Sequence, residues 1–402
     1  MSYHNTYLST KIRYKKNSLK KMAKEFNQIY LDISNEINKK GTTLSVLSKK
    51  FKLNFKIKDL KEFKKFKTLA IIGMGGSILG SMSVYNFLET KVKKKVYFFD
   101  NINDKKIIDF KKNENIKKVL FLIISKSGNT VETLSNTFAL KILKKNAKNI
   151  IIIAEKKNNL LFSISKKYNL FYVEHKSFVG GRYSVLSETG IIPSYLMGIN
   201  TLKLRSKIFS IFKEKNKFLL KDSALKLASM LKLKKFNNLI FINYSPQLKQ
   251  FLFWCQQLIA ESLGKKNKGF LPMISNAPKD HHSLLQLYLD GPKDKLFYIF
   301  SCDEYVKSKL SVSSFVKKNI NLNKKSLYQI KIAQKNALIK SFSKNKIPFR
   351  EFKIKKTNEE TLGKLFSYFI LETVIIGKLL NINPYDQPAV EQVKVFTKNL
   401  LK

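Results

Sequence analysis

Short, continuous apolar runs separated by amphipathic stretches constrain this chain more than any other feature. Five follow one another at 68–73 (TLAIIG), 95–100 (KVYFFD), 118–125 (KVLFLIIS), 150–155 (IIIIAE) and 170–175 (LFYVEH). They are rich in β-branched and aromatic residues and lack strict apolar–polar alternation, as expected of strands buried on both faces. Between them, segments such as 130–143 and 186–199 space their apolar residues at helical intervals. Such alternation builds a parallel sheet covered on both faces by helices. The pattern then restarts. Runs at 238–244, 295–300 and 348–354 read as strands, with helices near 246–263, 323–342 and 361–380. The expected fold is therefore α/β: two tandem units joined by the lysine-rich stretch 203–217, with helices at 17–38 and 389–401 flanking the pair.

Charge bounds the function. The 402 residues carry 77 Lys+Arg against 28 Asp+Glu, a formal charge of +49. That excess invites a nucleic-acid partner, but only Arg13, Arg182, Arg205 and Arg350 are arginines. Phosphate clamps and base readers favour the planar guanidinium, whereas these lysines are spread along the whole chain with no recognition motif. A lysine-, asparagine- and isoleucine-rich composition of the kind AT-rich codons produce accounts for the charge, so no nucleic-acid partner is expected. Cys255 and Cys302 form no C-x-x-C pair or disulfide framework, which suits reduced thiols. No apolar run reaches the ~18–20 residues of a membrane span, and 1–16 lacks an apolar signal core, so cytoplasmic residence is expected.

Six motifs are candidates for chemistry. The first apolar run leads into Gly73-Met74-Gly75-Gly76-Ser77-Ile78-Leu79-Gly80. Such a turn lets backbone N–H groups meet an anion at a helix start, although Ile78 breaks the G-x-G-x-x-G dinucleotide pattern. Alone, it does not separate a ligand turn from a plain one. The third run ends in Ser125-Lys126-Ser127-Gly128-Asn129-Thr130. Hydroxyls at a helix N-terminus beside a lysine suit a monophosphate dianion, and both loops sit at carboxyl ends of strands, where ligands of such sheets bind. Arg182 follows a double glycine, which lets the backbone bend close to a ligand while the guanidinium holds an oxyanion. Gln257 and Glu261 stand at i and i+4 and share a helix face, with Glu261 a candidate general base or a solvated glutamate. His281 and His282 are adjacent at a helix start, an arrangement unsuited to a two-histidine metal site. Lys394 lies about two turns into the last helix, after Pro388, and by itself carries no signal.

Taken in order, the SKSGNT, VGGRYS, QQLIAESLGK, DHHSLLQL and QPAVEQVK motifs resemble the phosphoglucose isomerase family, over roughly residue 68 to the C-terminus. The resemblance implies two sugar-isomerase (SIS-type) three-layer α/β/α sandwiches with parallel sheets, here placed at 61–202 and 218–380. A helical segment, 1–60, precedes them and a tail helix, 381–402, carries Lys394. It implies reversible glucose 6-phosphate/fructose 6-phosphate isomerisation without cofactor or metal. Gly76, Ser77, Ser125, Lys126, Ser127 and Thr130 would hold the 6-phosphate. His282 would assist ring opening, with Lys394 near the ring oxygen. Glu261 would move the proton between C2 and C1, Arg182 would stabilise the enediolate, and Gln257 would position hydroxyls. The family further implies a homodimer in which His282 enters from the neighbouring subunit. The chain departs from the family pattern at Ala277-Pro278-Lys279, where a Gly/Thr-rich turn is usual, and at His281, where glutamine is usual. Two readings stand beside the isomerase: a broader SIS-type isomerase that also takes mannose phosphate, and a non-catalytic sugar-phosphate sensor.

Overall fold

The computed structural model describes residues 2–4, 16–212, 214–233, 236–304, 308–313 and 320–401. In chain order its strands are β1 (Ser2–His4), β2 (Thr68–Ile72), β3 (Lys95–Phe99), β4 (Val119–Ile124), β5 (Ile150–Ala154), β6 (Phe171–Glu174), β7 (Asn238–Asn243), β8 (Leu271–Asn276), β9 (Lys295–Cys302) and β10 (Phe349–Ile354). One sheet has the order β3-β2-β4-β5-β6 and the other β1-β10-β9-β7-β8. Every pairing is parallel except β1 with β10, which is antiparallel at the sheet edge. In the first sheet the chain steps from β2 outward to β3, then returns to lay β4 on the other side. This reversal leaves a crevice at the carboxyl ends of β2 and β4, the place where ligands of doubly wound sheets bind. The second sheet repeats the reversal at β7 and β9.

Alternate residues of one strand feed different cores, because successive side chains point to opposite faces. Ala70, Ile72, Phe121, Ile123, Ile150 and Ile152 pack under the outer helices of the first sheet. Leu69, Ile71, Leu122, Ile124, Ile151 and Ile153 join a larger core that also takes Leu239, Phe241, Tyr298 and Phe300 from the second sheet. Helices fill the space between. Leu79–Phe87 meets Lys249–Leu263, where Ser83 Oγ donates to Gln250 O at 3.0 Å, and Glu359–Leu379 is buried over almost its whole circumference. Outside the second sheet, Leu338 and Phe342 of Leu327–Lys344 cover Ile240, Ile242, Phe297 and Ile299.

Two features go beyond what the sequence pattern predicts. The 203–217 connection is itself helical, running through Thr201–Ser206, the 3₁₀ turn Ile208–Phe212 and the start of Glu214–Lys232; residue 213 lies outside the described residues. Strand β8 was not anticipated, because LPMISN is weakly apolar and contains Pro272. Leu271 N donates to Asn237 O at 2.7 Å, toward β7. The next residue, Pro272, therefore points its missing donor to the open edge, where it costs no ladder bond. Among the described residues no helix is long and apolar enough to cross a membrane.

Candidate active site

At the carboxyl end of β2 the chain enters the 3₁₀ turn Gly75–Ser77 and then the helix Leu79–Phe87. Gly75 has φ +51°, and a Cβ there would lie 2.7 Å from Gln257 Nε2. Gly76 is more constrained still, since a Cβ would sit 2.2 Å from the Gly181 carbonyl carbon and 2.5 Å from Arg182 N. Backbone meets backbone at that point, so only glycine fits. The turn thus touches both the arginine loop and the helix of Gln257 and Glu261.

Beside it, the loop after β4 gathers its hydroxyls. Ser125 Oγ lies 2.8 Å and Ser127 Oγ 3.4 Å from Thr130 Oγ1. Ser125 Oγ also accepts from Gly128 N at 3.2 Å. Thr130 is the N-cap of Val131–Ala139, so three hydroxyls stand at the positive end of a helix, an arrangement suited to an anion. Lys126 Nζ is 3.6 Å from Glu155 Oε1. Burial pulls the Lys126 ammonium below its ordinary pKa, against the opposing pull of Glu155.

Arg182 is buried, and all five of its N–H donors are committed. Nε donates to Ser262 Oγ (2.8 Å), Nη1 to Glu261 Oε2 (3.1 Å) and Gln387 Oε1 (2.6 Å), and Nη2 to Pro384 O (2.7 Å) and Asp386 O (3.0 Å). The second oxygen of Glu261, Oε1, accepts from Gln257 Nε2 at 2.8 Å. The i, i+4 pair therefore shares a face as its spacing predicts, and the carboxylate is fixed from both sides while 30% of it stays exposed.

The structure brings Gly76, Arg182, Gln257 and Glu261 into one cluster, with Ser77 on the same turn. Ser125, Lys126, Ser127 and Thr130 form the adjoining loop. His282 and Lys394 are not gathered with them. His282 is exposed on the 3₁₀ turn Lys279–His282 after β8. Its neighbour His281 turns inward, with Nε2 2.7 Å from Tyr244 OH. Lys394 is exposed, about one turn into Val390–Leu400, and pairs with Glu391 at 2.6 Å. Among the described residues no cluster of three or more His, Cys, Asp or Glu is arranged to hold a metal ion.

Ser262, Lys265 and Gln387 stand inside the recognised motifs, yet spacing alone gave them no role. His175 carried no sequence signal beyond ending an apolar run. It is 1% exposed, and its Nδ1 lies 2.9 Å from Lys176 O. A carbonyl only accepts, so the proton sits on Nδ1 and Nε2 is left buried without a partner.

With this geometry in view, the sequence model of phosphoglucose isomerase matches residues 27–275. A probable glucose-6-phosphate isomerase of Methanococcus maripaludis is 35% identical over 84% of this chain and 79% of its own length. The chain belongs to the phosphoglucose isomerase family. A glucose-6-phosphate isomerase of Methanocaldococcus jannaschii is 31% identical over 85% of this chain and 86% of its own. The crystal structure of a hypothetical protein from Thermus thermophilus shares the fold, with a TM-score of 0.81, 23% identity and 96% of each chain covered.

Proposed function

We propose that this chain interconverts glucose 6-phosphate and fructose 6-phosphate, the aldose–ketose step of glycolysis and gluconeogenesis, through a cis-enediolate. One observation carries the reading: the Glu261 carboxylate lies 3.1 Å from the Arg182 guanidinium, against a glycine turn that adjoins the hydroxyl loop. The phosphate is taken by Gly76, Ser77, Ser125, Lys126, Ser127 and Thr130. That leaves the sugar carbons over Glu261, which removes the proton beside the carbonyl and returns it to the next carbon. Arg182, through its charge beside Glu261, stabilises the enediolate as the proton leaves, and Gln257 positions hydroxyls. A single base with an adjacent cation suffices for this exchange, because the proton lost at C2 is the proton gained at C1. His282 opens the ring with Lys394 near the ring oxygen. As His282 lies on an exposed turn, it serves the neighbouring subunit of a homodimer. The same reading divides the chain into 1–60, 61–202, 218–380 and 381–402 and places it in the cytoplasm.

The test is direct. Purified protein incubated with fructose 6-phosphate should yield glucose 6-phosphate, with mannose 6-phosphate measured alongside. Glu261→Gln and Arg182→Ala should each lower turnover by at least ~10²-fold with the fold intact, the scale of a lost general base or oxyanion donor. No isomerisation by the wild type, or near-normal turnover in either variant, overturns the assignment.

A further inference from the structure

The Arg182 clamp depends on a loop with no regular structure of its own. Two of its five acceptors, Pro384 O and Asp386 O, are backbone carbonyls of the segment 383–387, and a third is the Gln387 side chain. That segment then leads into Val390–Leu400, the helix of Lys394. Carbonyl oxygens pointed at one place repel one another unless a cation holds them. Besides Arg182, one does so. Lys265 follows the helix Lys249–Leu263 by two residues, just past its C-cap Gly264. Its ammonium donates to Asn383 O, to Asp386 O at 2.6 Å and to Asp386 Oδ1 at 2.8 Å. Those three acceptors use all three ammonium donors. Asp386 O is shared with Arg182, so two cations and two carboxylates, Asp386 and Glu261, close one balanced cluster. The Lys265 side chain is only 14% exposed, in a chain whose lysines mostly face water.

We infer that Lys265 is a positioning residue for the isomerisation: it ties segment 383–387 to the end of the Glu261 helix and so holds Arg182 and the start of the Lys394 helix in one frame. This rests on the roles proposed above for Glu261 and Arg182. Without the tie, the loop carbonyls turn toward water and Nη2 of Arg182 loses two acceptors while buried. The guanidinium then reorients away from Glu261. Substrate affinity is set elsewhere, by the hydroxyl loop after β4, so the loss falls on the chemical step.

Lys265→Met keeps the aliphatic stem, Lys265→Arg keeps the charge, and Asp386→Asn keeps the backbone carbonyl but removes the carboxylate. Lys265→Met should lower kcat by about 10²-fold, the scale of a misplaced catalytic group. The KM for fructose 6-phosphate, and the Kd of sorbitol 6-phosphate (an acyclic analogue that cannot isomerise), should move by less than about threefold, because ground-state binding is spared. Lys265→Arg should recover kcat to within about tenfold, and Asp386→Asn should fall between the two. Amides of 383–400 should exchange hydrogen at least ~10-fold faster in Lys265→Met, with 249–263 unchanged. A kcat within about threefold of wild type, a Kd that worsens in step with kcat, or unchanged exchange in 383–400 each overturns the inference. If Lys265→Met does not fold, Lys265→Arg and Asp386→Asn carry the same comparison. An inactive wild type sinks the proton-transfer reading instead, and exchange then still decides whether Lys265 holds the loop.

Discussion

Each described arginine fills a role that an ammonium, with three donors on one point charge, fills poorly. Arg13 lies outside the described residues. Arg205 donates to the carbonyls of Leu186, Val46 and Ser48, and Arg182 spans five acceptors. Arg350 is 1% exposed. Its Nη1 reaches Glu372 Oε1 (2.7 Å), Ser223 Oγ (2.5 Å) and Tyr298 OH (2.9 Å), and its Nη2 reaches Tyr368 OH (2.8 Å). Removing one partner of such a buried pair strands the other charge. Arg350→Met should therefore cost about 3–5 kcal/mol of unfolding free energy, while Arg350→Met with Glu372→Leu recovers most of it. Urea titration of both variants checks this, and a single variant within about 1 kcal/mol of wild type refutes it. Arg182 was legible in the sequence because a double glycine precedes it. Arg350 was not, because its partners stand 127, 52, 22 and 18 residues away along the chain and only folding assembles them.

Strand ends, more than strands, hold the polar residues of the first sheet proposed to bind substrate. The strands themselves were readable because burial on both faces demands apolar residues without interruption, and VLFLII of β4 is buried throughout. What periodicity cannot show is which strands become neighbours, and so which ends converge. Here the ends of β4, β5 and β6 place Lys126, Glu155 and His175 on successive rungs, with Glu155 N donating to Lys126 O (3.0 Å) and His175 N to Ala154 O (2.7 Å). Burial first, then the Lys126 charge, pushes the His175 pKa down to about 4 from 6.5. The unfolded chain therefore binds the proton that the folded chain refuses. Stability is full above about pH 6.5 and falls as pH drops from there to about 4, by on the order of 3 kcal/mol in all. His175→Gln should remove that part of the acid sensitivity. By thermal or urea unfolding, the wild type should lose stability relative to the variant by about that amount between pH 7 and pH 4 if His175 is responsible; parallel curves would exclude it.

At the scale of the whole molecule, the proposed function requires His282 and Lys394, which stand apart from the Arg182–Glu261 cluster, to reach it. His282 sits after β8, which is a free edge of the second sheet and leaves Leu271 59% and Met273 45% exposed. An apolar edge beside an exposed histidine fits the proposed homodimer, in which each subunit lends His282 to its partner. Symmetry makes that arrangement testable, because a two-fold interface pairs the same elements reciprocally. Glu261→Gln and His282→Ala proteins should each be nearly inactive alone. Refolded together, half of the dimers are mixed. Each mixed dimer then holds one site with both defects and one with neither, since the intact Glu261 of the His282→Ala subunit faces the intact His282 of the other. Activity should therefore return to roughly a quarter of the wild-type value per site. If His282 serves its own subunit, both sites of a mixed dimer keep one defect and no activity returns. Mixing ratio supplies an internal control: recovered activity should peak at equal amounts and fall toward zero at either extreme, a dependence that contaminating wild-type enzyme cannot produce.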